Sequence, residues 1–386
     1  MSNNLTTFSF PTPTLFGAGG LQKLKEKLAF LGVQKPLVVT DGGLVSTPAF
    51  KLLSAALGES DRDRAWVVFS GVHPNPVEGD VTEGAQVYQA SGCDGVIAFG
   101  GGSALDVGKA IRLLIKRPSM KVSEFRYEDD WRGLAPCICI PTTAGTGSEV
   151  GRSSVITLAA TGRKAVMFHP ELLADFVILD PEVTAGLPAK LTAATGIDAL
   201  THCIESYTCP TFHPMCDGIA LEGIRLVAEA LPKACANGND LDARGKMLAA
   251  AAMGAVAFQK DLGATHSLAH PLSTICGMHH GLANALCLPA VMEFNSQRIP
   301  GLYRRVGIAV GLDVVGASNA DADRQTIQFV RALLAQVGIG MGLRNFGVKD
   351  EQLDALVAQA IDDPCHKTNP VPVSADDLRN LYLASW

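Results

Sequence analysis

The chain has 386 residues, 47% hydrophobic and 18% charged, with a net charge of −6 at neutral pH. That is globular composition with material for two domains, and an acidic balance without long basic runs argues against nucleic acid as a partner. The opening MSNNLTTFSFPTPTLF lacks a basic-then-apolar leader, and the most apolar window, MLAAAAMGAVAF (247–258), is too short for a bilayer span and fits a packed core helix. Ten scattered cysteines without a CxxC suggest buried thiols in a reducing cytoplasm, with no membrane engagement.

In chain order, the amphipathic stretch LQKLKEKLAFLG (21–32) leads into PLVVT (36–40), then AWVVFS (65–70), GVIAFG (95–100), CICIP (137–141) and DFVILD (175–180). These short apolar runs alternate with helical patterns, which predicts a parallel sheet with helices on its faces. After DPEVTAGLP (180–188) the strand signal stops, and from Ala189 the pattern is helix after helix, broken by Gly, Pro and Asn-Gly. The expected organisation is a dinucleotide-binding α/β domain over 1–185, Rossmann-like, and an all-α metal-binding domain over 186–386, divided near Gly186.

Within the first half, DGVIAFGGGSALDVGKAI (94–111) runs a buried strand into Gly100, Gly101 and Gly102 and then into a helix. Glycines let a ligand approach the backbone, and the helix N-terminus offers unpaired N–H groups and a positive dipole end suited to a pyrophosphate. Ser103 and Asp106 fit an N-cap with an acidic residue at N3. The GxGxxG fingerprint is incomplete, because Leu105 stands where its third glycine belongs, and a tight βα turn would use the same residues. PTTAGTGSEV (141–150) adds N–H and O–H donors at another strand end. Asp41, after PLVVT, could accept from ribose hydroxyls and repel a 2′-phosphate, favouring NAD over NADP; it equally suits a turn before Gly42 and Gly43.

In the second half, four of the nine histidines fall in GATHSLAHPLSTICGMHHGLANA (263–285). His266 and His270 are four apart, as are Asp198 and His202 in LTAATGIDALTHCIESY (191–207), so each pair projects from one helical face. A carboxylate with two or three imidazoles, His280 included, is a ligand set for Fe²⁺ or Zn²⁺. No HExxH motif is present, since Ser267 follows His266 and no Glu is near in sequence. His73, His169 and His213 suit ordinary hydrogen-bonded roles.

These stretches, with HPNPVEGDV (73–81), HHGLANA (279–285) and Asn369-Pro370, resemble the iron-containing (group III) alcohol dehydrogenases along nearly the whole chain. That family shares its fold with dehydroquinate synthase and glycerol dehydrogenase. The resemblance implies metal ligands at Asp198, His202, His266 and His280. It implies cofactor contacts at Asp41, Asn75, Gly101, Gly102, Ser103, Asp106, Thr142, Thr143, Thr146 and Lys164, with Leu187 beside the cofactor. It also implies a homodimer and hydride transfer between NAD(H) and an alcohol assisted by Fe²⁺ or Zn²⁺. His270 would lie near nicotinamide and substrate, and is the expected proton relay, with His279 as second choice.

TCPTFHPMCDGIALEG (208–223), AFQKDLG (257–263) and DPCHKTNP (363–370) are similar to the 4-hydroxybutyrate dehydrogenase branch. Arg152 and Lys367 could pair with a substrate carboxylate, which predicts an ω-hydroxy acid such as 4-hydroxybutyrate and its partner succinate semialdehyde. A polyol dehydrogenase, an NAD- and metal-dependent lyase of the same fold, and a non-catalytic metal-binding scaffold are the alternatives.

Overall fold

Continuous apolar runs need cover on both faces, which a parallel sheet between helix layers supplies. The computed structural model describes residues 10, 12–58, 66–160 and 162–386. The opening segment 1–9 and Ala65, the first residue of one predicted strand, lie outside the described residues. Among the described residues there are eight strands: β1 (Thr14–Phe16), β2 (Pro36–Val39), β3 (Val67–Phe69), β4 (Gly95–Gly100), β5 (Cys137–Pro141), β6 (Ser153–Thr157), β7 (Lys164–Phe168) and β8 (Phe176–Leu179). Six form one sheet in the order β1-β8-β5-β4-β2-β3, every pair parallel. β6 and β7 pair antiparallel as a separate hairpin that periodicity does not predict.

The helices of this half are α1 (Leu24–Phe30), α2 (Pro48–Leu57), α3 (Glu78–Ser91) and α4 (Gly102–Lys116). Side chains alternate across a strand, so Val38, Ile97, Phe99, Ile138, Ile140 and Ile178 share one face and pack with Leu24, Leu28, Phe50 and Leu53. On the other face α4 approaches β4 closely: a Cβ on Gly108 would stand 2.6 Å from the Ala98 Cβ. Close helix–strand packing is what the third glycine of a dinucleotide fingerprint provides. Here Gly108 does that, six residues after Gly102.

The chain divides into two compact units: Pro11–Leu187 with Asn239–Leu248, and Pro188–Gly238 with Ala249–Trp386. The remaining helices are α5 (Ala189–Thr208), α6 (Pro214–Ala236), α7 (Leu241–Ala257), α8 (Ala264–Cys276), α9 (His280–Arg298), α10 (Arg304–Ala309), α11 (Asn319–Gln336), α12 (Leu353–Asp362) and α13 (Ala375–Ala384). Among the described residues no helix is long and apolar enough to cross a membrane.

Glycines explain how α5 becomes enclosed. A Cβ on Gly223 of α6 would meet Cys203 Sγ at 2.6 Å, one on Gly254 of α7 would meet His202 Cβ at 3.0 Å, and one on Gly281 of α9 would meet the Ala194 carbonyl oxygen at 2.2 Å. Three helices therefore reach α5 at backbone distance. Asp198, His202 and Glu205 on α5 are all buried. A buried charge is costly unless it is paired, so these side chains must find partners inside the helical unit.

Candidate functional site

The sheet order places a topological switch between β2 and β4, because β3 lies on one side of β2 and β4 on the other. Ligands of open α/β sheets bind at the strand carboxyl ends there. Asp41 follows β2 and the glycine loop follows β4 at this point. Gly100 has φ +152, open only to glycine. Gly101 caps α4 through extended backbone with no side-chain cap, which leaves the first-turn N–H groups to a ligand. Thr142 N donates to the Gly100 carbonyl at 2.9 Å, and a Cβ on Gly102 would strike Thr146 Cγ2 at 2.7 Å. Gly101 faces Thr143. The predicted loops thus form one cradle.

The predicted cap is corrected. Ser103 lies inside the first turn of α4, and its Oγ donates to the Pro74 carbonyl at 2.6 Å, tying the exposed loop of Asn75 to the helix. Asp106 accepts from Ser148 Oγ at 2.5 Å and Val155 N at 3.0 Å, so its carboxylate serves the 148–155 segment. The reason is that Gly101, free to be extended, starts the helix before Ser103 can cap it. Buried Lys109 donates to Ser148 Oγ at 2.7 Å and to the Ser148 carbonyl at 2.8 Å, fixing that segment on α4. Asp41 is also bound locally, its Oδ1 accepting from Leu44 N at 2.9 Å. Lys164 opens β7, and the Leu187 carbonyl accepts from Arg244 at 3.1 Å.

Beside this cradle, Glu149 is buried and its Oε1 has no hydrogen-bond partner. Burial pushes its carboxyl up to about 7, against the opposing pull of its own backbone N–H and of Lys109. In the unfolded chain the group ionises near 4.5. Between these values the unfolded state binds fewer protons, so Glu149 lowers stability as pH rises and the loss levels off above about 7. The expected loss is about 3 kcal/mol. Glu149→Gln should therefore gain stability over the parent at pH 8, and the gain should shrink toward pH 5 in urea unfolding. A difference independent of pH would refute the assignment.

In the helical unit, α5 presents Asp198 and His202, α8 presents His266 and His270, and α9 opens with His280. Gly277, at φ +65, ends α8 and lets the chain turn within three residues into α9, which returns His280 to the others. One donor atom from each of Asp198, His202, His266 and His280 lies within 4.8 Å of all the rest. Asp198 Oδ1 stands 3.9 Å from His202 Nε2 and 3.6 Å from His280 Nε2. A tetrahedral shell with ligands at about 2.1 Å needs neighbouring donors about 3.4 Å apart, so the set fits one first-row divalent ion. The first three side chains are enclosed, while that of His280 is 26% exposed, leaving one side open.

Three partners of this cluster escaped sequence reasoning. Glu205 Oε2 lies 2.6 Å from His266 Nδ1, although no Glu is near His266 in sequence. Burial alone would raise the Glu205 carboxyl, but the hydrogen bond from His266, with the Thr265 donors, holds it below its ordinary value. Asn284 Nδ2 donates to Asp198 Oδ1 at 2.7 Å and stands 3.2 to 3.3 Å from His280 Nε2 and His266 Nε2. The Asn284 Oδ1 is buried without a partner. Asp363 Oδ2 lies 2.7 Å from His270 Nδ1. Its other oxygen accepts from Ser267 Oγ at 2.8 Å and Cys365 N at 2.9 Å. A neutral His270 that donates from Nδ1 keeps Nε2 as a proton acceptor. Glu205 was legible: it continues the Asp198, His202 stripe at i+7, whereas Asp363 lies 93 residues from His270.

The remaining predicted residues lie outside the four-donor cluster. His279 precedes α9 with an exposed side chain. Lys367 is exposed in the 3₁₀ turn Pro364–Thr368 after Asp363. Arg152 lies over the Phe168 ring, 5.7 Å from its centroid. Asn369 accepts from Ala264 N at 3.3 Å and so anchors the start of α8. His213 and His169 cap helical turns, and His73 bonds Asp80.

The pattern of "Iron-containing alcohol dehydrogenase" matches residues 11–181, and that of the "Fe-containing alcohol dehydrogenase family, C-terminal" matches 192–386. The chain is 38% identical over 385 residues to a 4-hydroxybutyrate dehydrogenase of Cupriavidus necator, covering 95% of this chain and 96% of that one. A 1,3-propanediol oxidoreductase structure superposes with a TM-score of 0.94 at 33% identity, covering 99% of this chain and all of the other. A sulfoacetaldehyde reductase from Bifidobacterium kashiwanohense, solved in complex with NAD+, superposes at 0.87 with 30% identity and 99% coverage of both chains. With both halves matched and full-length relatives above 30% identity, the chain belongs to the iron-containing alcohol dehydrogenase family and is an oxidoreductase.

Proposed function

We propose that the protein moves a hydride between NAD(H) and a short primary alcohol or its aldehyde, with Fe²⁺ or Zn²⁺ held by Asp198, His202, His266 and His280. The observation that carries this reading is the convergence of those four donors within 4.8 Å. When bound, the ion supplies a Lewis acid that lowers the pKa of an alcohol and polarises an aldehyde carbonyl. The chain's own groups do the rest. The N–H groups after Gly101 bind the pyrophosphate, with Ser103, Thr142, Thr143 and Thr146 around it. Asp41, Asn75, Asp106, Lys164 and Leu187 are assigned to the cofactor by family likeness. His270 Nε2 takes or returns the alcohol proton while Asp363 holds its Nδ1, with His279 the second candidate.

The substrate we infer is an ω-hydroxy acid such as 4-hydroxybutyrate. This rests on the named relative, and on Arg152 and Lys367, neither of which has an ion-pair partner among the described residues. A hydrogen bond to a charged group is worth about 1.5–3 kcal/mol, so kcat/KM for succinate semialdehyde should exceed that for butyraldehyde by about 10- to 100-fold. The assay uses protein reconstituted with Fe²⁺ or Zn²⁺ and follows NADH. Equal values would remove the carboxylate assignment, and no net NADH oxidation with any aldehyde would remove the dehydrogenase reading. We also propose a cytoplasmic homodimer, supported by ten free thiols and by edge strand β1, where Phe16 is 54% exposed.

A further inference from the structure

We infer that Glu205 is a positioning residue for the metal: it selects the His266 tautomer and, with Asp198, supplies the negative charge that a divalent ion neutralises. The inference rests on the metal-site reading above and assigns a role to a residue outside the ligand set.

Glu205 is buried, and its carboxylate is surrounded by donors. Oε1 accepts from Thr265 N at 2.6 Å, and Oε2 accepts from Gly263 N at 3.1 Å and lies 2.6 Å from His266 Nδ1. An ionised carboxylate only accepts, so His266 must carry its proton on Nδ1. Its Nε2 then keeps a lone pair on the side of Asp198 and His280, where Asn284 marks the cluster's centre. A histidine held this way is fixed in ring angle and made a stronger donor. The carboxylate's seat also depends on residue 263 having no side chain. A Cβ on Gly263 would stand 2.8 Å from Glu205 Oε1 and 3.1 Å from Asn369 Oδ1.

The charge argument is independent of the tautomer. Asp198 and Glu205 are two enclosed carboxylates, and the described Lys and Arg side chains form no ion pair with either. Enclosed carboxylates are costly without compensation, and a 2+ ion bound beside His266 compensates both.

A competing explanation is that Glu205 merely caps the N-terminus of α8. The two differ in what a metal titration reads. Co²⁺ is added to chelator-treated, full-length protein, and uptake is followed through the visible ligand-field bands. Glu205→Gln keeps the size, removes the charge and turns one of the two accepting oxygens into a donor; it should weaken Co²⁺ binding about 10- to 100-fold and alter the band pattern. Gly263→Ala, which displaces the carboxylate without touching a ligand, should weaken binding in the same direction and decides the matter if Glu205→Gln does not fold. Wild-type affinity and wild-type bands in a folded variant would overturn the inference and leave only a cap. The underlying metal reading fails differently: the parent would take up no Co²⁺, or Asp198→Ala would bind it as tightly as the parent.

Discussion

Asp198→Ala is expected to leave a folded protein that retains no stoichiometric metal after gel filtration and turns over at least about 1000-fold more slowly. The carboxylate is the only anionic donor in the cluster, and its Oδ1 stands within 4 Å of both His202 Nε2 and His280 Nε2. Without it, three imidazoles remain, and Asn284 loses the acceptor of its Nδ2. Loss of a Lewis acid forfeits several kcal/mol of transition-state stabilisation, and each 1.4 kcal/mol is about tenfold in rate. His270→Ala provides the contrast. Its side chain bonds Asp363 and is not among the four ligands, so metal content should stay intact while kcat falls by about 100- to 10,000-fold, the usual range for a lost proton-transfer group. Metal analysis beside steady-state rates separates the two. An Asp198→Ala protein with full metal and full rate would remove the cluster from the mechanism.

What the sequence shows and hides here follows from how each signal is made. PLVVT, GVIAFG, CICIP and DFVILD stand out because strands buried on both faces are uninterrupted apolar runs, and all four appear in the sheet. β1 is three residues long at an edge, with Phe16 outward, and β6 and β7 are half-exposed with polar positions, so neither carries enough apolar pattern to be seen. The pairs Asp198/His202 on α5 and His266/His270 on α8 are visible because helical spacing of four is local. Their convergence is legible only through the density of histidine in a segment otherwise built of small residues. Asp363, Asn284 and the Glu205–His266 contact are tertiary facts. The Ser103 cap is misjudged for a related reason: cap patterns assume that a side chain satisfies the first N–H groups, whereas α4 starts on Gly101 with no side-chain cap.

Gly281→Ala sets two general rules against each other, and the outcome should be large. Within a helix, alanine is favoured over glycine by about 1 kcal/mol, so propensity alone predicts a more stable protein. At this position the new Cβ would lie 2.2 Å from the Ala194 carbonyl oxygen, 2.8 Å from its carbon and 3.1 Å from Asp198 Cβ. Two of those atoms are α5 backbone and cannot rotate away, so α9 must move off α5. Overpacking of this kind typically costs about 1–3 kcal/mol, and with backbone as the obstacle the upper end applies. The same displacement carries His280, the residue before Gly281, away from Asp198 one turn along from Ala194. A shift of about 1 Å at a catalytic constellation is enough for a rate loss on the order of 100-fold. Gly281→Ala should therefore lower the melting temperature, weaken metal binding and slow turnover together. Gly277→Ala is the control: with φ +65 but no atom within 4 Å of the added Cβ, it should cost only about 1 kcal/mol of backbone strain and spare the metal affinity. If Gly281→Ala instead melts higher than the parent and binds metal as well, then the close approach of α9 to α5 is not what assembles the ligand set.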